Sequence, residues 1–191
     1  MCGIIGINSN KEVTSTILNS LRKLEYRGYD SAGIATLNSG YIQEVKCEGR
    51  VDNLEKNIIK NKLLGNLGIG HVRWATHGIP STLNAHPHSS DNVSVVHNGI
   101  IENSTLLKKF LVKKGHKFKS QTDTEVIVHL ITEYLKKNNL IDTLTKVLKK
   151  LHGSFALGII FKDEPDLIIG ARRGSPSVSY THLRAHETHN D

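Results

Sequence analysis

Strand-like runs open and close this chain, and helical periodicities gather between them. That order limits the possible folds more than any other feature of the sequence. Residues 2–8 read as a strand carried by Gly3-Ile4-Ile5-Gly6-Ile7. Val13, Ile17, Leu18, Leu21 and Leu24 recur at helical spacing, which predicts a helix over residues 13–25. Strands over 32–37 and 41–47 follow, joined by the turn Asn38-Ser39-Gly40. A weaker helix is expected over 51–62, a strand over 67–72, and a short strand over 93–96 that ends at His97-Asn98-Gly99. Three helices then dominate, marked by Leu107 and Leu111, by Ile127 and Leu130, and by Leu144 and Val147. A hairpin over 155–161 and 167–171 closes the pattern. A doubly wound sheet would alternate strand and helix. This grouping instead predicts an α+β layered domain with mainly antiparallel strands.

The 191 residues suffice for one good core. With 38% hydrophobic and 23% charged residues, the composition is that of a soluble globular protein. No apolar run approaches a membrane span, and no basic-then-apolar leader opens the chain. Two cysteines, Cys2 and Cys47, make no disulfide framework, so a cytoplasmic, reducing location is expected. The net charge of +7 raises the question of nucleic acid. The lysine pairs 108–109, 113–114, 136–137 and 149–150 fall on or just after polar helix faces, however, and the few aromatics are scattered. Solvated helices account for the charge, and neither a nucleic-acid nor a membrane partner is expected.

Chemistry enters at the start of the chain. Cys2 follows Met1, and aminopeptidases readily remove Met before a small residue. Removal puts a thiol and an α-amine on one Cα. That amine titrates near pH ~7.7–8.0, so it can take the thiol proton without a histidine. On its own, Cys2 could equally be a small buried apolar residue.

Asn98-Gly99 allows two readings, a type I′ hairpin turn or a pair of oxyanion-hole donors. Residues 100–103 run into a helical pattern and not an alternating strand, which argues against the hairpin. Arg73 and Asp123 are the natural grips for an amino acid's carboxylate and ammonium. Spacing alone assigns Asp123 to helix capping, because Thr122-Asp123-Thr124-Glu125 reads as a capping box. The aperiodic segment 73–92 is long enough to be functional, and Trp74 argues against plain disorder. His71, His77, His86, His88 and His97 raise a metal alternative, but no cysteine cluster joins them and His86-Pro87-His88 chelates poorly. No metal and no cofactor are expected.

Six segments, in order, resemble the glutaminase domains of the isomerizing glutamine–fructose-6-phosphate aminotransferases, which are class II glutamine amidotransferases. They are Met1-Cys2-Gly3-Ile4-Ile5-Gly6; residues 24–33, containing Tyr26-Arg27-Gly28-Tyr29-Asp30-Ser31; His71-Val72-Arg73-Trp74-Ala75-Thr76-His77-Gly78; Asn84-Ala85-His86-Pro87-His88; residues 95–103, containing His97-Asn98-Gly99; and residues 122–127. The likeness covers residues 1–176.

The resemblance implies an N-terminal nucleophile hydrolase fold, a four-layer αββα sandwich with antiparallel sheets. It implies Cys2 as nucleophile, Asn98 and Gly99 as oxyanion donors, and Arg27 as a support for the nucleophile. Arg73 and Asp123 would hold L-glutamine, with Trp74, Thr76 and His77 in a loop that closes over it. Ammonia would pass to fructose 6-phosphate bound in sugar isomerase domains, which are absent here, in an enzyme that is a homodimer at full length. Residues 177–191 lack the pattern and are expected to be a foreign tail on a C-terminally truncated domain. An inactive truncated fragment is the competing expectation.

Overall fold

The computed structural model describes residues 2–75 and 78–175. In chain order the elements are β1 (Gly3–Asn8), α1 (Thr14–Leu24), β2 (Ser31–Asn38), β3 (Tyr41–Glu48), α2 (Val51–Asn61), β4 (Leu67–Arg73), β5 (His88–Ser89), β6 (Val93–Ile101), α3 (Ser104–Lys113), α4 (Glu125–Leu135), α5 (Leu140–Lys150), β7 (Gly153–Phe161) and β8 (Ile168–Arg173). A 3₁₀ turn, Glu25–Arg27, follows α1. None of these helices is long and apolar enough to cross a membrane.

The strands form two four-stranded antiparallel sheets, ordered β1-β4-β2-β3 and β5-β6-β7-β8. Three apolar clusters show how they stack. Ile17, Leu21, Leu54 and Ile58 of α1 and α2 bury one face of the first sheet together with Ala32, Ile34 and Val72. On the opposite face, Ala35, Leu67 and Ile69 meet Val96 and Ile160 of the second sheet. The outer face of that sheet packs Val93, Val95, Leu157 and Ile159 against Leu111, Ile127, Ile131 and Val147 of the last three helices. Helix, sheet, sheet, helix is therefore the layer order, as the N-terminal nucleophile hydrolase resemblance implies. Period-two alternation along β2, β4 and β6 divides each strand between an inter-sheet face and a helix face.

Two local expectations need correction. The strand expected to end at Val96 runs on to Ile101, with Asn98 opposite Ala156 and Gly99 opposite Phe155 on β7. Asn98-Gly99 is therefore mid-strand, neither a hairpin turn nor the end of the ladder, because β7 supplies a partner that local sequence does not reveal. The capping box is also absent. The N-cap of α4 is Thr124, which makes no side-chain capping bond. Glu125 turns outward from the helix start and accepts from the backbone N–H groups of Lys119 and Ser120 at 2.8 and 2.7 Å. The eight paired lysines are all exposed.

Candidate active site

Cys2 stands immediately before β1, and β1 pairs along its length with β4, bringing Gly3 opposite Val72. The chain leaving β4 therefore passes beside the sulfur. The Trp74 N–H donates to Cys2 Sγ at 3.3 Å, and the thiol lies 3.6 Å from the Trp74 carbonyl. Arg73, the last residue of β4, is 4% exposed, with Nη1 4.0 Å from an Asp30 carboxylate oxygen. Asp30 braces this corner. Its N–H donates to the Arg73 carbonyl at 3.2 Å, and its carboxylate accepts from the Ala75 N–H. Beneath lies Gly28. A Cβ there would sit 2.5 Å from the Arg73 carbonyl carbon and 2.7 Å from the Trp74 nitrogen, so only glycine lets the two backbones approach this closely.

The second sheet supplies the facing wall. Asn98 reaches across from β6, and its side-chain amide donates to the Cys2 carbonyl at 3.3 Å. Gly99 follows with φ +140°, and a Cβ on it would lie 2.1 Å from the Ser154 carbonyl oxygen of β7. Asp123 is 8% exposed and accepts from the Ile101 N–H at 2.7 Å, spanning from the start of α4 to the end of β6. Cys2, Arg73, Trp74, Asn98, Gly99 and Asp123 together line one cavity of about 240 Å³. It holds a thiol, a guanidinium, a carboxylate and an amide donor, the set needed to grip a zwitterionic amino acid and attack its side chain.

Burial pushes the Cys2 thiol above its ordinary range, and the Trp74 backbone hydrogen bond only partly offsets that. At neutral pH the thiol keeps its proton until a base removes it. Both hydrogen bonds of the sulfur among the described residues run to the Trp74 backbone, not to a histidine ring. His71 and His88 are driven down to about 3 chiefly by burial, and His86 falls well below the usual histidine range for the same reason. These rings are neutral. Among the described residues no group of three or more His, Cys, Asp or Glu is arranged to hold a metal ion.

Arg27 is in the 3₁₀ turn, half-buried, with Nη1 3.3 Å from the Tyr26 hydroxyl and apart from the cavity lining. Thr76, His77 and residues 176–191, with Met1, lie outside the described residues. Sequence reading gave no role to Asp30, and treated Thr122 and Thr124 only as capping residues. Their position beside Ser31 and Asp123, inside two of the six segments, was the available signal.

The sequence of residues 71–185 matches the family model described as the glutamine amidotransferase domain. The chain belongs to the glutamine amidotransferase family. Among curated relatives of this amidotransferase domain, the glutamine–fructose-6-phosphate aminotransferase [isomerizing] of Clostridium acetobutylicum is 54% identical over 180 residues, covering 93% of this chain and 29% of the relative. The protein of the same name from Zymomonas mobilis is 51% identical over 179 residues, covering 93% and 30%. The chain thus spans under a third of the length of these relatives. Among solved structures, the glutamine phosphoribosylpyrophosphate amidotransferase of B. subtilis superposes with a TM-score of 0.74 at 30% identity, covering 85% of this chain and 35% of that one. The amidotransferase sandwich described above is thus shared with a relative of different name.

Proposed function

We propose that this domain hydrolyses L-glutamine to glutamate and ammonia, with Cys2 as nucleophile. The observation that carries the reading is the Asn98 amide, donated from the second sheet to the backbone of Cys2 at the floor of a cavity that also holds Arg73 and Asp123. Arg73 would pair with the substrate α-carboxylate in bidentate fashion, and Asp123 would accept from the α-ammonium. That anchoring directs the side-chain amide toward Cys2 Sγ.

Loss of Met1 gives Cys2 a free α-amine, which takes the thiol proton as the sulfur attacks the amide carbon. The resulting oxyanion accepts from the Asn98 amide and the Gly99 backbone N–H. Collapse expels ammonia, which carries off the proton held by the α-amine. Water, deprotonated by the same amine, then cleaves the γ-glutamyl thioester, and the thiol is restored. Trp74, Thr76 and His77 would shield the thioester from stray water, and Arg27, apart from the cavity lining, would support the nucleophile's surroundings from outside it.

The names of the curated relatives extend this reading. The released ammonia would aminate fructose 6-phosphate in sugar isomerase domains beyond the matched region, in a full-length homodimer. The free thiols of Cys2 and Cys47 suit a reducing compartment, for which the cytoplasm is proposed. Rapid quenching with glutamine followed by peptide mass analysis tests the core of the proposal. A glutamyl adduct on Cys2 is expected, absent in Cys2→Ala. Glutamate release by Cys2→Ala at the wild-type rate would overturn it.

A further inference from the structure

We propose that Thr124 is a positioning residue for this site, holding the Asp123 carboxylate and the Asn98 amide in place through a buried lattice of histidines. The inference rests on the glutaminase reading above. It begins with three consecutive residues just before α4. Thr122, Asp123 and Thr124 all line the cavity, as do His86 and His97, and Asp123 also reaches the Ile101 N–H. The Thr122 hydroxyl meets His88 Nε2 at 3.0 Å. The Thr124 hydroxyl meets two rings at once, His86 Nε2 at 2.8 Å and His97 Nδ1 at 2.9 Å. Thr124 is 0% exposed, and His86 and His97 are 5% and 3% exposed.

His97 is held a second time through its backbone, whose carbonyl bonds His71 Nε2 at 2.9 Å from β4 of the first sheet. That oxygen can only accept, so His71 carries its proton on Nε2. Asn98, the amide that reaches Cys2, is the next residue in the chain after His97. One hydroxyl therefore ties the residue after Asp123 to the residue before Asn98, and His71 ties that same residue to the sheet bearing Cys2 and Arg73. The His71 and His86 rings stack at 4.3 Å between centroids, which closes the lattice.

A threonine hydroxyl has one proton to give. Its oxygen can accept from a ring N–H on either side but can donate to only one of them, so at least one of the two facing nitrogens must carry a proton. An unprotonated nitrogen at one of these positions requires an N–H at the other.

The test is Thr124→Val, which keeps the shape and removes the hydroxyl. The expected result is a fall in kcat of roughly 10–100-fold, short of the loss on deleting an oxyanion donor outright, with Thr124→Ser restoring most of it. The effect should be non-additive with Asn98→Ala, because the hydroxyl acts through that amide. Histidine ring ¹⁵N spectra of the unmodified chain decide the matter without any variant. A proton on at least one of His86 Nε2 and His97 Nδ1 is expected, and two unprotonated nitrogens facing the hydroxyl overturn the lattice. A wild-type chain that releases no glutamate sinks the glutaminase reading and the positioning role together. An active wild type with Thr124→Val unchanged, or with an effect strictly additive with Asn98→Ala, overturns the positioning role alone.

Discussion

The Asn98 side-chain amide donates to the Cys2 carbonyl at 3.3 Å, joining residues 96 apart in the chain, one on β6 and the other just before β1 of the facing sheet. A donor already aimed at the nucleophile's own residue needs little reorganisation when negative charge develops beside the sulfur. Deleting one such donor typically costs about 10²–10³ in rate. Asn98→Ala should therefore lower kcat for glutamate release by about that factor while KM moves little. Steady-state kinetics check it, and a variant with raised KM and intact kcat would place Asn98 in ground-state binding instead.

Asp123 makes the complementary prediction. Asp123→Asn retains an oxygen for the Ile101 N–H and removes only the charge, so KM for glutamine should rise with little change in melting temperature. Asp123→Ala also strands that N–H, which costs about 1–3 kcal/mol. Thermal melts of the two variants separate the roles, since only the alanine form should be destabilised.

Gly28→Ala tests the corner beneath the nucleophile. The added methyl meets the Arg73–Trp74 peptide at 2.5–2.7 Å, and backbone atoms must shift to admit it. The φ of Gly28 is 179°, which any residue adopts, so the penalty is steric alone. Overpacking of this kind costs about 1–3 kcal/mol. Because the displaced Trp74 N–H is the one that contacts Cys2 Sγ, turnover should fall along with stability. A variant stable and active as wild type would show that this approach is not needed.

The buried histidines set the acid limb of stability. His71 and His88 titrate at about 3 when folded, against about 6.5 when exposed, with burial the main cause. Between those values the unfolded chain binds more protons than the folded one, so unfolding free energy rises with pH across the window. Stability is complete above pH ~6.5 and declines as pH falls, by up to about 1.4 kcal/mol per pH unit for each ring. Urea midpoints from pH 8 to pH 5 should decrease, and replacing His88 by Gln should flatten the slope. A midpoint independent of pH would contradict neutral burial of these rings.

Much of the scaffold was legible because its signals are local. The apolar stripes Ile17–Leu21 and Leu144–Val147 repeat at helical spacing, and the 41–48 hairpin partner follows a glycine turn. Asn98 and Asp123 were ambiguous for a physical reason. A strand that continues through polar residues depends on β7, more than fifty residues away in sequence, and a carboxylate in a Thr-x-x-Glu setting looks like a cap until its distant acceptor role at Ile101 is seen. The short strand His88–Ser89 escaped notice because two residues carry no periodicity. The Thr124–histidine lattice had no spacing rule to reveal it, since its members come from four separate segments.

The account turns on the α-amine of Cys2 serving as the base for its own thiol, and the two processed forms of the chain test that directly. Glutamate release should be compared between protein beginning at Cys2 and protein retaining Met1, both folded as judged by a cooperative melt. The form beginning at Cys2 is expected to turn over glutamine and the Met1 form to be silent. Equal rates in the two forms would contradict the mechanism.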